Sequence, residues 1–497
     1  MLGVSVLLST LFSLIVGLVS SEKAVICYYG TWATYRHSYG QYDVENINPY
    51  LCTHLIYTFA GIDNTGKIIS LDPYLDLSDG RDNFKKFNAL KNKNPNLKTL
   101  LAVGGWNEGS AKYSKMAAST SRRKNFIDSS LNMITSYGFD GLDLDWEYPN
   151  RRDTVYGTAD IDNFTTLLRE IREAFDKKEL LLTAAVSSVR EAASQSYNVT
   201  AISQYLDIIH IMTYDMHGSW DPVTGHNSPL YKGEGDEGAV KEDLYTIDQA
   251  LAYWIGAGCP PEKIAVGVPF YGRTFTLSDA NVNGVRAAAT GAGIAGPYTA
   301  TNGFLGYNEF CNLLQTESWT QRYDQLAKVP YAFKDYDWVT YDDANSIALK
   351  VDYAKSLGID KIMIWSIETD DFHGLCGDGN NPLLNAINLA LDSSFTTNRP
   401  SSTSSPDATT SNSDSSAAET SSSSSLPIPS PASSVTPATI CQGRLYAPKA
   451  GDCSSFYICV IKADGSYEPK EVKCSKGLHW DQTILACNYP SEVKCSA

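Results

Sequence analysis

Short apolar runs recur along the first 392 residues, separated by stretches whose apolar positions repeat every three to four residues. Residues 24–29 (Ala-Val-Ile-Cys-Tyr-Tyr) open the series. His54–Phe59, Lys98–Val103, Leu180–Val186, Asp207–Tyr214, Lys263–Phe270 and Lys361–Ile367 continue it. These runs are rich in β-branched side chains and almost free of polar interruption, which predicts strands buried on both faces. Helical spacing over Asp82–Lys93, Ser121–Tyr137, Asp160–Lys177, Val240–Ala257 and Asn345–Leu357 predicts the intervening helices. Strand and helix alternating about eight times predicts an α/β fold, a closed (β/α)8 TIM barrel over residues 22–392. A doubly wound open sheet is the alternative.

The fourth run, Asp140–Pro149 (DGLDLDWEYP), breaks the apolar pattern. Successive side chains on a strand face opposite ways. Asp143, Asp145 and Glu147 therefore share one face, and Leu142, Leu144 and Trp146 share the other. Asp140 is out of register with the acids and reads as structural. Adjacent carboxylates resist ionising together, which raises the pKa of at least one. The plain reading is a solvated face or a cation site; the chemical reading is a proton held ready for acid catalysis.

Active sites of this barrel lie at the C-terminal ends of its strands. Trp106 and Asn107 fall there after the third run, and Glu147 and Tyr148 end the fourth. Tyr214 and Asp215 end the sixth, Tyr271 and Arg273 follow the seventh, and Trp365 lies on the eighth. Tyr28, Trp32 and Trp220 are further aromatic candidates for the mouth or its rim, suited to packing against sugar C–H groups. Glycoside cleavage needs a proton on the leaving oxygen and a stabilised oxocarbenium-like carbon. Glu147 is the candidate acid, with Asp143 and Asp145 sharing a proton behind it. The nucleophile can come from an N-acetyl group of the substrate itself. Asp145 could then hold the acetamido N–H and Tyr214 its carbonyl, leaving Asp215 to bond the sugar or tune Asp145.

Composition narrows the partners. The 497-residue chain carries a net charge of −16 and a sequence pI near 4.9, a poor match for nucleic acid or an anionic membrane. Residues 2–19 are apolar and lead into Ser20-Ser21-Glu22, which predicts a signal peptide over residues 1–21; a signal anchor is the alternative. A secreted, extracellular, monomeric protein is expected, free of the membrane once the signal is cleaved. Sequons at Asn163 and Asn198 fit that route as glycosylation sites. The gap over 271–341 is too long for one helix and predicts an inserted α+β subdomain. Within it, Gly291–Gly296 spells a dinucleotide fingerprint, yet no strand precedes it and Pro297 follows, so it reads as a loop. Residues 393–440 are mostly Ser, Thr, Pro and Ala and predict an extended, O-glycosylated linker. Six of the 11 cysteines crowd into Cys441–Cys495, where disulfides would replace a hydrophobic core; six cysteines allow about fifteen pairings. No metal or other cofactor is expected: His210, His217, His226 and His373 lack ligand spacing.

Asp140–Pro149 spells the DxxDxDxE motif of family 18 glycoside hydrolases, the chitinases, and the chain resembles that family. The likeness runs through Cys27–Trp32, Leu101–Asn107, Met212–Trp220, Gly267–Phe275 and Met363–Asp371, and covers residues 22–392. Residues 441–497 resemble the peritrophin-type (type-2) chitin-binding domain of carbohydrate-binding family 14. The whole is similar to secreted arthropod-type chitinases. The resemblance implies Glu147 as proton donor, Asp143 and Asp145 as its relay, Tyr214 and Asp215 around the acetamido group, and retention of configuration. It implies glycan binding by Tyr28, Trp32, Gly104, Gly105, Trp106, Asn107, Tyr148, Met212, Thr213, Tyr271, Arg273, Met363 and Trp365. It also implies disulfides Cys27–Cys52, Cys311–Cys376, Cys441–Cys459, Cys453–Cys495 and Cys474–Cys487, which leaves Cys259 a buried free thiol. The implied partners are chitin and chitin oligosaccharides, and the implied activity is endo-hydrolysis of β-1,4-linked N-acetylglucosamine polymer. A non-hydrolytic chitin-binding lectin on the same fold is the alternative. Lectin relatives typically lose the acid that Glu147 supplies here.

Overall fold

The computed structural model describes residues 23–241 and 244–395, together with 446–449, 452–461, 467–474, 479–481 and 486–488. The expected signal peptide and the linker beyond residue 395 lie outside the described residues.

Eight parallel strands form the first unit: β1 Ala24–Gly30, β2 His54–Ile62, β3 Lys98–Gly104, β4 Gly141–Asp145, β5 Leu181–Ser187, β6 Ile208–Met212, β7 Ile264–Pro269 and β8 Lys361–Trp365. Each pairs with its neighbours in chain order, and β8 returns to β1 through Ala24↔Lys361 to Cys27↔Ile364. The sheet is therefore a closed barrel, and the open-sheet alternative falls.

The period-2 pattern sorts β4 as expected. Leu142, Leu144 and Trp146 are buried in the layer between barrel and helices, with Phe164, Leu167, Ile171 and Phe175 of the helix Ala159–Phe175. Each such side chain contributes about 1.5–3 kcal/mol through burial. Asp143 points to the barrel interior, where Tyr28, Ile56, Leu100, Ala102 and Met363 form the apolar filling. The strand stops at Asp145, however, so Glu147 stands past the sheet and not on a continuous three-acid face. Asp140 is structural in its contacts: Oδ2 accepts from Lys91 Nζ and the Thr99 N–H, each at 2.8 Å.

The helix expected over Val240–Ala257 is shorter, Ile247–Gly256, because Thr246 is still extended. A long irregular segment therefore connects β6 to that helix. Additional helices, Ala111–Ala118, Arg190–Ser196, Val199–Tyr205, Tyr307–Thr316 and Pro382–Leu391, complete the packing. Asn198 is exposed and caps one of them, its Oδ1 accepting from the Ala201 N–H at 3.1 Å, while Asn163 is half-buried on Ala159–Phe175.

Between β7 and β8 stands a six-stranded antiparallel sheet backed by the helix Tyr307–Thr316. Its first strand, Tyr271–Leu277, follows β7 with only Phe270 between them. Gly291 and Ala292 end the strand Ala289–Ala292, and the chain beyond them is loop. Disulfides join Cys27 to Cys52 and Cys311 to Cys376, closing loops that the chain-entropy argument values at about 3–4 kcal/mol each. Cys259 is a buried free thiol.

The second unit contains a three-stranded antiparallel sheet, Tyr446–Pro448, Ser455–Ile461 and Tyr467–Lys473, and a two-stranded one, His479–Asp481 with Ala486–Asn488. Cys453 and Cys474 each take part in a disulfide. The pairings expected for Cys441, Cys459, Cys487 and Cys495 involve side chains outside the described residues. Among the described residues no helix is long and apolar enough to cross a membrane.

Candidate active site

The acids occupy three depths of the barrel mouth. Asp143 is deepest and fully buried. Its Oδ2 accepts from the Tyr28 hydroxyl at 2.7 Å and its Oδ1 from Thr183 Oγ1 at 2.5 Å. His210 Nδ1 lies 3.3 Å from Oδ1 and 2.8 Å from the Tyr28 oxygen. Both oxygens of this buried carboxylate are thus hydrogen-bonded. Asp145, one pleat nearer the mouth, lacks such support: its Oδ1 has no hydrogen-bond partner among the described residues. Burial first, then the charges of Glu147 and Asp143, push its pKa well above the usual carboxylate range. The main chain beside it is crowded, and Gly104 is required there. Gly104 has φ +121°, and a Cβ would stand 2.1 Å from the Asp145 carbonyl oxygen.

Glu147 is outermost. Its pKa is raised to about 7, by burial first and then by Asp215; a hydrogen bond from Tyr148 and the charge of Arg152 act the other way. The like charges of the motif act together on Asp145. The leading charge on Glu147 comes from the end of β6. Asp215 has a left-handed backbone, φ 57°, and its Oδ1 accepts from Tyr271 Oη at 2.6 Å and Arg273 Nε at 2.8 Å. Tyr214 lies alongside, nearly buried, and among the described residues only the Met363 sulfur, at 3.6 Å, receives its hydroxyl proton. A thioether is a weak acceptor, so this O–H is available to a better one.

Around these acids opens a cleft of about 1300 Å³. Tyr28, Trp32, Gly104, Gly105, Trp106, Asn107, Asp145, Glu147, Tyr148, Met212, Tyr214, Asp215, Arg273 and Trp365 line it, as does Trp220. Trp365 forms part of an aromatic floor, stacked on Phe59 with ring centres 5.8 Å apart and tilted against Trp32 at 6.1 Å. Trp32, Trp106 and Trp220 are exposed by 42%, 56% and 57%, which leaves ring faces free to meet a ligand. Three residues expected to touch a glycan do not line the cleft. Thr213 is fully buried, with its hydroxyl on the Gly267 carbonyl at 2.5 Å. Met363 lies beneath Tyr214, and Tyr271 stands behind Asp215.

Several contributors went unread in the sequence. Phe59 looks like ordinary core at a strand end. Thr183 faces Asp143 through the β4–β5 register, and only the pairing Asp143↔Thr183 reveals it. Arg152 leaves no pattern at all; its guanidinium stacks 3.7 Å from the Trp106 ring centre and donates to the Trp106 carbonyl at 2.8 Å.

A (β/α)8 barrel that holds a protonated glutamate over buried aspartates, inside an aromatic cleft, has the equipment of a glycoside hydrolase. Residues 24–370 match the family described as glycosyl hydrolases family 18, and the chain belongs to it. Residues 441–495 match the chitin-binding peritrophin-A domain. "Probable chitinase 2" of Drosophila melanogaster is 45% identical over 368 residues, 71% of this chain and 74% of the relative. The crystal structure of Ostrinia furnacalis Group IV chitinase in complex with allosamidin is 60% identical, with a TM-score of 0.74, and covers 76% of this chain and 100% of its own. Human YKL-39, described as a pseudo-chitinase with retained chitooligosaccharide binding, is 40% identical with a TM-score of 0.69, over 74% of this chain and 100% of its own.

Proposed function

We propose that the protein is a secreted chitinase that cleaves β-1,4-linked N-acetylglucosamine polymers internally, with retention of configuration and with the substrate's acetamido group as nucleophile. The observation that carries this is Glu147, held protonated up to about pH 7 in a cleft floored and rimmed by aromatic rings.

The Glu147 carboxyl donates its proton to the glycosidic oxygen as the C1–O bond breaks. The acetamido carbonyl oxygen of the same sugar closes on C1 from the face opposite the leaving group, forming an oxazolinium and leaving the vacated face for the water that attacks later. The acetamido N–H needs an acceptor, and Asp145, whose Oδ1 has no partner, supplies one. The carbonyl needs a donor before it attacks, and the Tyr214 hydroxyl supplies that. As positive charge grows on the ring, the Asp143–Asp145 pair favours it electrostatically, and Asp145, whose pKa is raised, keeps or passes a proton. Glu147, now a carboxylate, takes a proton from the incoming water, and the acetamido group leaves C1. Two displacements at C1 give retention.

The peritrophin-type unit binds chitin. It supports a second reading, a lectin without turnover, of the kind the YKL-39 description reports for that protein. Hydrolysis is favoured because Asp143, Asp145 and Glu147 are all present and the last is poised to give up a proton. The deciding experiment is hydrolysis of a long soluble chitin oligomer, with anomer analysis of the products and E147Q in parallel. Turnover to β-anomers by the wild type, with binding but no turnover by E147Q, is expected. Absence of wild-type turnover would sink the enzyme reading, and α-anomers would sink the mechanism.

A further inference from the structure

Asp215 is over-determined. A non-glycine residue remains in the left-handed region only where its surroundings hold it there. Two of its restraints act on the carboxylate, through Tyr271 and Arg273. The third acts on the main chain. The Asp215 N–H donates to Asn227 Oδ1 at 2.9 Å, and Asn227 Nδ2 donates in turn to the Tyr271 carbonyl at 3.1 Å. Both partners fix the orientation of the carboxamide, because the flipped form would set donor against donor and acceptor against acceptor. The Asn227 carbonyl also accepts from the Met216 N–H at 3.0 Å. Asn227 is 1% exposed and lies outside the cleft lining, so it cannot meet a substrate directly.

One buried carboxamide therefore ties Asp215 to the strand that carries both ligands of its carboxylate. We propose that Asn227 is a positioning residue for the reaction: it fixes the Asp215 carboxylate in the wall of the cleft that Glu147 also lines. This rests on the assignment of Glu147 as the proton donor. Without Asn227 the Asp215 N–H becomes a buried donor with no acceptor, and the left-handed turn loses a restraint. The carboxylate then drifts from Glu147, and the alkaline limb of kcat/KM moves to lower pH.

The test is the pH profile of kcat/KM on a soluble chitin oligomer for wild type, N227A, S228A, D215N and N227A/D215N, with thermal melts of each. Ser228 is the control. It is equally buried on the same segment, and its hydroxyl serves the Thr213 carbonyl and Lys350 Nζ, not Asp215. N227A is expected to lower kcat by about tenfold or more and to shift the alkaline limb down by roughly half a unit. S228A should lower the melting temperature without moving the limb. In the D215N background N227A should move the limb no further, since the charge it positions is gone. An unmoved limb in N227A, or an equal shift in S228A, overturns the proposal. If N227A does not fold, N227S replaces it with the same expectation, and failure of both to fold assigns Asn227 a purely structural role. A wild type that hydrolyses no chitin oligomer refutes the Glu147 assignment instead, which keeps the two failures apart.

Discussion

Replacing Glu147 with glutamine should abolish turnover and stabilise the fold, and the stabilisation should appear only as the pH rises. Burial and Asp215 lift folded Glu147 from its ordinary 4.5 to about 7. Between those values the folded state keeps a proton that the unfolded chain has released. Wild-type stability therefore falls with rising pH across this window, and the loss is complete above the folded value. At about 1.4 kcal/mol per unit, the shift is worth about 3 kcal/mol by pH 8. That is a ceiling, because Asp145 titrates against Glu147 and absorbs part of it. Glutamine has no proton to lose. For a folded unit of about 370 residues, an unfolding entropy near 2 cal/mol/K per residue turns ~3 kcal/mol into about 4 °C. Calorimetric melts of both proteins from pH 4 to pH 8 make the measurement. The two melting temperatures should differ little at pH 4, and E147Q should lead by up to about 4 °C at pH 8. A difference that stays constant with pH, or grows toward acid, would refute the claim that folded Glu147 is held neutral.

Three further outcomes follow from the same geometry. Wild-type kcat/KM should fall about tenfold between pH 6 and pH 8 as Glu147 loses its proton, and D215N should move that limb to lower pH; a flat profile counts against the assigned acid. Y28F and T183V each remove a donor from buried Asp143 and should each cost about 1.5–3 kcal/mol in a denaturant titration, with a lower kcat. Deleting residues 441–497 should reduce activity on insoluble chitin more than on soluble oligomers, and equal losses on both would rule out a tethering role.

The barrel was legible because seven of its eight strands are near-continuous apolar runs, which have few other uses, and the remaining one alternates acids with apolar residues. Boundaries failed where apolar residues occur without burial on a helix. Val240 and Tyr245 prolong the pattern ahead of Ile247, yet both are exposed loop residues. The strand-end rule found most of the cleft but could not choose between side-chain directions. Met212 lines the cleft while its neighbour Thr213 turns into the wall, and Met363 turns under Tyr214 two residues before Trp365 reaches the floor. The charge that acts on Glu147 is hidden from the sequence for a related reason. Asp143 and Asp145 are near it in sequence, but Asp215 reaches it from the end of β6, two strands along the sheet, a relation spacing does not encode. Asn227 and Arg152 belong to irregular segments, where no period links a residue to what it touches.

The strand Tyr271–Leu277 opens the inserted sheet, and it also supplies Tyr271 and Arg273 to Asp215. The insertion is therefore not a module that can be exchanged for its size or its rim alone. A chimera that grafts this segment from another relative would import a new acidity for Glu147 together with a new cleft wall. Sequence drift anywhere in the strand's footing could retune the working pH of the enzyme while leaving the DxxDxDxE motif untouched.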